Sequence, residues 1–454
     1  VQWLETTPQE QIVSGLYAKI QDGLPYNQLL AALFLAGIRN VQPRPNVGFK
    51  FHSVLVIHAA HQASMAARDR DRWLPLLWSA DYFKRAQTED VRQGDWTMKE
   101  PPEVSAMTGT KAIVGLSQAM DRWDVEATDR YATAAARHAS VGQLFELFAR
   151  YGSRDFRDIG HKAIYVAGAF RLLDTIGHEH IEPVVRSLAY ALLNYGSGSN
   201  PAGQDLEADR PGRINWERTD GIHEAWSAGT LETSLTREWL EGLRHWDAED
   251  GCQRILGKLK SGTHWQTAYD ALFLASSEMV LRQNAIVPLH AVTSTNAIHY
   301  LFTNVKDQRL RLWLLLQNTA FVCLLRNAAK DRGKMREVWL DQLAPADPSP
   351  SPSILEIFLN VGKDRDLASR QILAQLSQPD STAHQEFMRQ ARNLVFCKGT
   401  DSHDYKFSSA ILEDWHHVSP VWRGLYLAGC SHLLHGDSHE DSPLWKRTQE
   451  LLKA

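Results

Sequence analysis

Apolar residues recur three and four positions apart along most of this chain. QEQIVSGLYAKI (9–20), NQLLAALFLAGI (27–38), RSLAYALLNY (186–195), TREWLEGLRHW (236–246) and SPLWKRTQELLK (442–453) all carry that spacing. It lays the apolar side chains along one face of an α-helix. Alternating β-branched runs bounded by turn residues are almost absent, so strands are not expected. The pattern predicts an all-α fold of roughly twenty helices, at about twelve residues each. Two stretches interrupt it. SGSNPAGQDLEADRPGRINWERTDG (197–221) is polar and reads as a long surface loop. LAPADPSPSPS (343–353) alternates Pro with small residues and reads as extended. WHH (415–417) reads as a loop before the helix VWRGLYLAGCSHLL.

A short phrase repeats. GTKAIVGLSQA (109–119) and GHKAIYVAGAF (160–170) each open an apolar helix, followed by a polar turn and a second apolar helix. DIGHKAI (158–164) is echoed by DGIHEAW (220–226). PLHAVTSTNAIHYLF (288–302) opens another hairpin, and FHSVLVIHAAHQASM (51–65) opens the earliest. Helical-hairpin repeats are read over approximately 50–330, with a C-terminal helical part at 354–454, and 1–454 as a single all-α domain. Such hairpins stack by burying the apolar face of one pair against the next. The expected architecture is an array of antiparallel helical hairpins, an open α/α solenoid or a closed toroid. In either shape, equivalent positions fall on one rim.

The first residues of the first helices are His52, Thr110, His161, His223 and His290. A sixth, more loosely phased copy starts near DSHDYKF, with His403. Neutral imidazole is the common protein ligand of zinc, copper and non-haem iron, and a site needs three or four donors about 2 Å from the ion. His52, His161, His223 and His290 are therefore candidate metal ligands, for iron first and for zinc or copper next. A heme held by two of them stays open, because non-covalent heme needs no local motif. Taken singly, each anchor has a plainer reading as a histidine bonding a free backbone group at a helix start. His58 and His61 lie three apart on one helix face and are candidates for proton handling. Asp158 and Asp220 each precede an anchor by three. They read either as N-caps or as carboxylates that orient an imidazole.

Composition narrows the partners. The formal net charge is −4 with no basic block and no acidic tail, so neither nucleic acid nor an anionic membrane is expected. The longest apolar run, 310–325, carries Arg311, Gln317 and Asn318 and is too short to span a bilayer. The four cysteines form no CxxC pair and read as reduced core thiols. No P-loop, GxGxxG, GxSxG or HExxH occurs, which argues against the usual nucleotide folds, α/β-hydrolase chemistry and zincin proteases. The expected partner is a small organic substrate and the expected compartment is cytoplasmic. The chain opens on VQWLE without Met, which leaves a removed leader open.

HAVTSTNAIHYLF (290–302), followed by LRLWLLLQNTAFVCLLR, resembles the questin-oxidase-like family, whose helical proteins carry a similar His-x-Val-Thr stretch before an apolar helix. The resemblance covers mainly residues 288–330. It implies an oxidoreductase of the kind that inserts oxygen into polycyclic aromatic ketones without a flavin domain, and it carries over one site residue, His290. The reading is a metal-dependent oxidoreductase acting on a small organic molecule. Two alternatives stand beside it. One is an α/α-barrel glycan-active hydrolase or lyase, using cavity carboxylates among the 15 tryptophans. The other is a non-catalytic helical repeat scaffold that binds a partner protein.

Overall fold

The computed structural model describes residues 1–43, 49–104, 107–193, 200–222, 224–347, 352–377 and 381–453. Among these every regular element is helical, and the β contribution is an isolated bridge between Thr230 and Thr263. Nine helices position the site: α1 (His52–Leu55), α2 (Ile57–Ala66), α3 (Leu74–Arg92), α4 (His161–Ile176), α5 (Ile181–Leu193), α6 (Ile286–Asn304), α7 (Gln308–Asp331), α8 (Ser402–His417) and α9 (Arg423–Cys430). The first helices of four hairpins close a ring. α2 packs on α4, α4 on α6, α6 on α8 and α8 back on α2. The second helices lie outside, with α3 on α2, α5 on α4, α7 on α6 and α9 on α8.

Local sequence explains where these helices begin. Pro75 stands in the first turn of α3, where no helical N–H is lost. Asp307 caps α7 through the Leu310 N–H. Asp401 caps α8 in a reciprocal box with Asp404. α6 is buried nearly all round, and its buried residues include His290, Thr293, Ser294, Thr295, Asn296 and His299. The ring helices thus meet along a polar seam, with the apolar core around them. The main core cluster reaches from Leu4 to Leu434, and a second, smaller one joins Ala59, Trp78, Val395 and Tyr405.

The repeat anchors are helix starts, with one shift. His52 and His161 are the first residues of α1 and α4, and His403 is the second of α8. His290 is one turn inside α6. Thr110 opens the Gly109–Asp121 helix, which packs mainly on the neighbouring Val125–His138 helix. The repeat unit holding Thr thus belongs to the outer layer.

Two loop expectations are corrected. The polar stretch 197–221 contains a helix, Arg210–Arg218. It is held by close backbone approach and polar bonds, which apolar periodicity does not register. Trp313 Nε1 donates to the Gly212 carbonyl at 2.9 Å, and Asn215 donates to Gln317 at 3.0 Å. A Cβ on Gly212 would lie 2.2 Å from the Arg154 carbonyl oxygen. Residues 415–417 are the last turn of α8, not a loop. Of the extended segment 343–353, residues 348–351 lie outside the described residues. No helix is long and apolar enough to cross a membrane among the described residues. All four cysteines are free thiols.

Candidate metal centre

The N-terminal ends of α1, α4, α6 and α8 meet at one place and bring His52, His161, His290 and His403 together. Their ligand atoms all lie within 4.8 Å of one another. His161 Nε2 is 2.9 Å from His290 Nε2 and 3.3 Å from His52 Nε2.

Three of the other ring nitrogens are tied back. His161 Nδ1 lies 3.0 Å from the Asp158 carbonyl oxygen, His290 Nδ1 2.7 Å from the Ile286 carbonyl oxygen and His403 Nδ1 2.7 Å from Asp401 Oδ1. Carbonyl and carboxylate oxygens only accept, so each Nδ1 carries the proton and each Nε2 turns a lone pair inward. Lone pairs at such separations repel unless a cation lies between them. Four donors about 2.0–2.1 Å from a tetrahedral ion stand about 3.3 Å apart, close to the spacing found here. The buried group could hold a metal ion.

Charge is arranged to match. Burial, reinforced by the Lys406 amine, pushes His161 well below its usual value. Burial, then His161 and Lys406, does the same to His290. For His403, burial outweighs the opposing pull of Asp401. Three members are thus neutral near pH 7. Lys406 sits one turn after His403, buried, with no hydrogen-bond partner for Nζ, and burial lowers its pKa to about 7.

Gly160 lets the ends of α4 and α6 approach. Its φ of +92° is left-handed, and a Cβ there would lie 2.5 Å from Ser294 Cβ, one turn along α6 from His290.

The structure places the sequence candidates as follows. His52, His161 and His290 converge. His223 lies outside the described residues. Asp158 is not an N-cap side chain: Gly160 occupies the cap, and the Asp158 carbonyl orients His161 through the main chain. Asp158 Oδ1 stands 3.7 Å from the same Nδ1. The imidazole that Asp220 would orient, His223, is not among the described residues. Asp220 follows the Arg210–Arg218 helix on the surface, where it pairs with Arg309 at 3.3 Å.

His58 and His61 stand outside the four-imidazole group. His58 faces Gly168, where an added Cβ would lie 3.8 Å from His58 Cβ. Gly168 is seven residues on from His161 and so about 10 Å along α4. Both ring nitrogens of His58 are buried without a hydrogen-bond partner. His61 Nδ1 is 2.9 Å from the Tyr26 hydroxyl, and its ring lines a 500 Å³ cavity.

Sequence reasoning left out Asp401 and Lys406 and gave His403 only a loose place. The signal was the DSH of DSHDYKF, an acid just before a histidine at a helix start. Beyond the imidazoles the seam continues as an acid–base network. Arg171 donates to Glu413 at 2.6 Å and to Asn296 at 3.2 Å. Asn296 and the Tyr426 hydroxyl donate to Asp414 at 2.7 and 2.9 Å. Burial raises Asp414 well above the usual carboxylate range.

The sequence matches no protein-family model and no curated protein.

Proposed function

We propose that the four imidazoles hold a transition-metal ion and that the chain is a metal-dependent oxidoreductase acting on a small organic substrate. The observation that carries this reading is the convergence of the four imidazoles, with the Nδ1 atoms of His161, His290 and His403 tied back to Asp158, Ile286 and Asp401. A donor set made of imidazole suits iron, copper or zinc over magnesium or calcium. Iron is the first choice. The resemblance over 288–330 points to oxygen chemistry. When bound, the ion would supply one-electron and oxygen-activating chemistry that side chains lack.

The chain's own residues supply the rest. Asp401 and the Asp158 carbonyl fix tautomer and ring orientation, as groups behind metal-bound histidines do. The surrounding helices exclude water. Burial holds His58 neutral, and His61, whose ring reaches a cavity, is the one of the two placed to exchange protons with a small molecule. A heme fits less well: its macrocycle would have to lie between two of the four rings, whose centroids stand 4.4 Å apart for His161 and His290 and 4.5 Å apart for His52 and His403.

The glycan reading finds its tryptophans already engaged. Trp123, Trp216 and Trp313 share a 330 Å³ cavity with Asp121 and Asp209. Arg154 covers Trp123 at 4.3 Å and Arg309 covers Trp216 at 4.4 Å, while Arg157 holds Asp209 at 2.7 Å.

Plasma mass spectrometry on tag-free protein, purified without added metal, tests the proposal. The expected result is about one equivalent of iron or copper, falling at least tenfold in His161→Ala. A folded, metal-free wild type would refute the metal site. Zinc alone would refute the redox part.

A further inference from the structure

Helix Ser381–Lys398 lies against α8 and shares with its C-terminal turn the walls of an 800 Å³ cavity. Arg389, Arg392, Arg423, His384 and His416 line it, and among the described residues no Asp or Glu does. That is unusual in a chain whose formal charge is −4. The three arginines are not equivalent. Arg389 is neutralised by Glu386, to which its Nε donates at 3.0 Å. Arg423 lies over Trp415 at 4.4 Å and donates only to main-chain oxygens, of Val418 at 3.1 Å and His416 at 3.4 Å. Arg392 is half-buried and has neither a hydrogen bond nor an ion pair among the described residues. Two guanidinium charges thus face one cavity in which no described residue offers a free carboxylate.

A partly desolvated cation without a counter-charge is costly, and proteins ordinarily pair it. The planar fork of a guanidinium fits a carboxylate through two parallel hydrogen bonds. The rest of the wall is apolar, with Leu376, Met388 and Val421, and Val421 is exposed at 65%. Arg392 also stands at a junction. Together with Ala66 and His416 it lines the adjoining 500 Å³ cavity, where Met65, Val395 and Leu412 add apolar surface. The one acid there, Glu413, is already bonded by Arg171 at 2.6 Å.

We propose that this cavity binds a small organic acid, its carboxylate seated on Arg392 and its apolar body lying over Met388 and Leu376. The site is separate from the four imidazoles. His416 follows His403 by thirteen residues on α8, about 20 Å along the helix. The proposal therefore stands or falls independently of the metal reading.

The test is a fluorescence titration of the full chain with 8-anilinonaphthalene-1-sulfonate, an anion on an apolar ring system. Saturable single-site binding is expected, with displacement by decanoate. Arg392→Gln should weaken it at least tenfold. Arg213→Gln, at an arginine outside this cavity, should leave it unchanged. N-phenyl-1-naphthylamine, which has no sulfonate, should bind at least tenfold more weakly. Unchanged affinity in a folded Arg392→Gln variant, equal binding of the neutral probe, or no saturable binding would overturn the site. Failure of decanoate to displace the probe would overturn its assignment to a carboxylate. Metal content in Arg392→Gln should equal that of the wild type, which keeps the two sites distinguishable.

Discussion

Acid should weaken this fold through two histidines that are not in the four-imidazole group. His58 and His299 are both buried, and burial pushes each well below the ordinary value, with Arg171 adding to the effect on both. The folded state keeps these rings neutral, whereas the unfolded chain protonates them below about pH 6.5. Between the folded and unfolded pKa values the unfolded state holds more protons. Stability is therefore fully present above pH 6.5 and is lost as pH falls below it. Going from pH 7 to pH 5.5, one such imidazole costs about 1.2 kcal/mol, and the pair about 2.5 kcal/mol. That is a sizeable part of the 5–15 kcal/mol typical of a folded protein.

The perturbation is His58→Leu with His299→Phe. His299 is surrounded by Tyr269, Phe273 and Phe302, so phenylalanine suits its site. The assay is urea denaturation of wild type and variant at pH 7.0 and 5.5, on protein stripped of metal. The acid-induced loss in the double variant should be smaller by about 2.5 kcal/mol, with about half of that in each single variant. Equal pH dependence in wild type and variant would refute the reasoning.

Other outcomes are expected from the same geometry. Asp401→Asn weakens the hydrogen bond that orients His403 and should lower metal affinity about 10–100-fold, read by competition with a chelator. Gly160→Ala meets a left-handed φ and a contact of 2.5 Å with Ser294. It should cost about 2 kcal/mol or more in chemical denaturation. It should also reduce bound metal, because it separates α4 from α6. Lys406→Met removes a buried amine that has no hydrogen-bond partner. It should stabilise the metal-free chain at pH 7 by about 2 kcal/mol, and a loss of that size would refute the account of its burial.

Helix content and the positions of helix starts could be read from the chain itself. A 3.6-residue apolar period, a capping acid or an early proline acts within one or two turns, so its consequence stays local. Such signals marked His52, His161 and His290 as helix starts, the last of them one turn too late, since its helix begins at Ile286. They failed where a helix is held by distant polar contacts, as Arg210–Arg218 is by Trp313 and Gln317. They failed again at α8, whose continuation through residues 415–417 shows only once it packs into the ring. Which histidines meet was decided by tertiary structure. Thr110 and His161 open near-identical phrases, yet one helix packs in the outer layer and the other in the ring. His403 follows His290 by 113 residues, but its helix closes the ring between α6 and α2. Convergence depends on how helices rotate and pack across such separations. Spacing along the sequence fixes a residue's place on its own helix and leaves the facing helix unspecified.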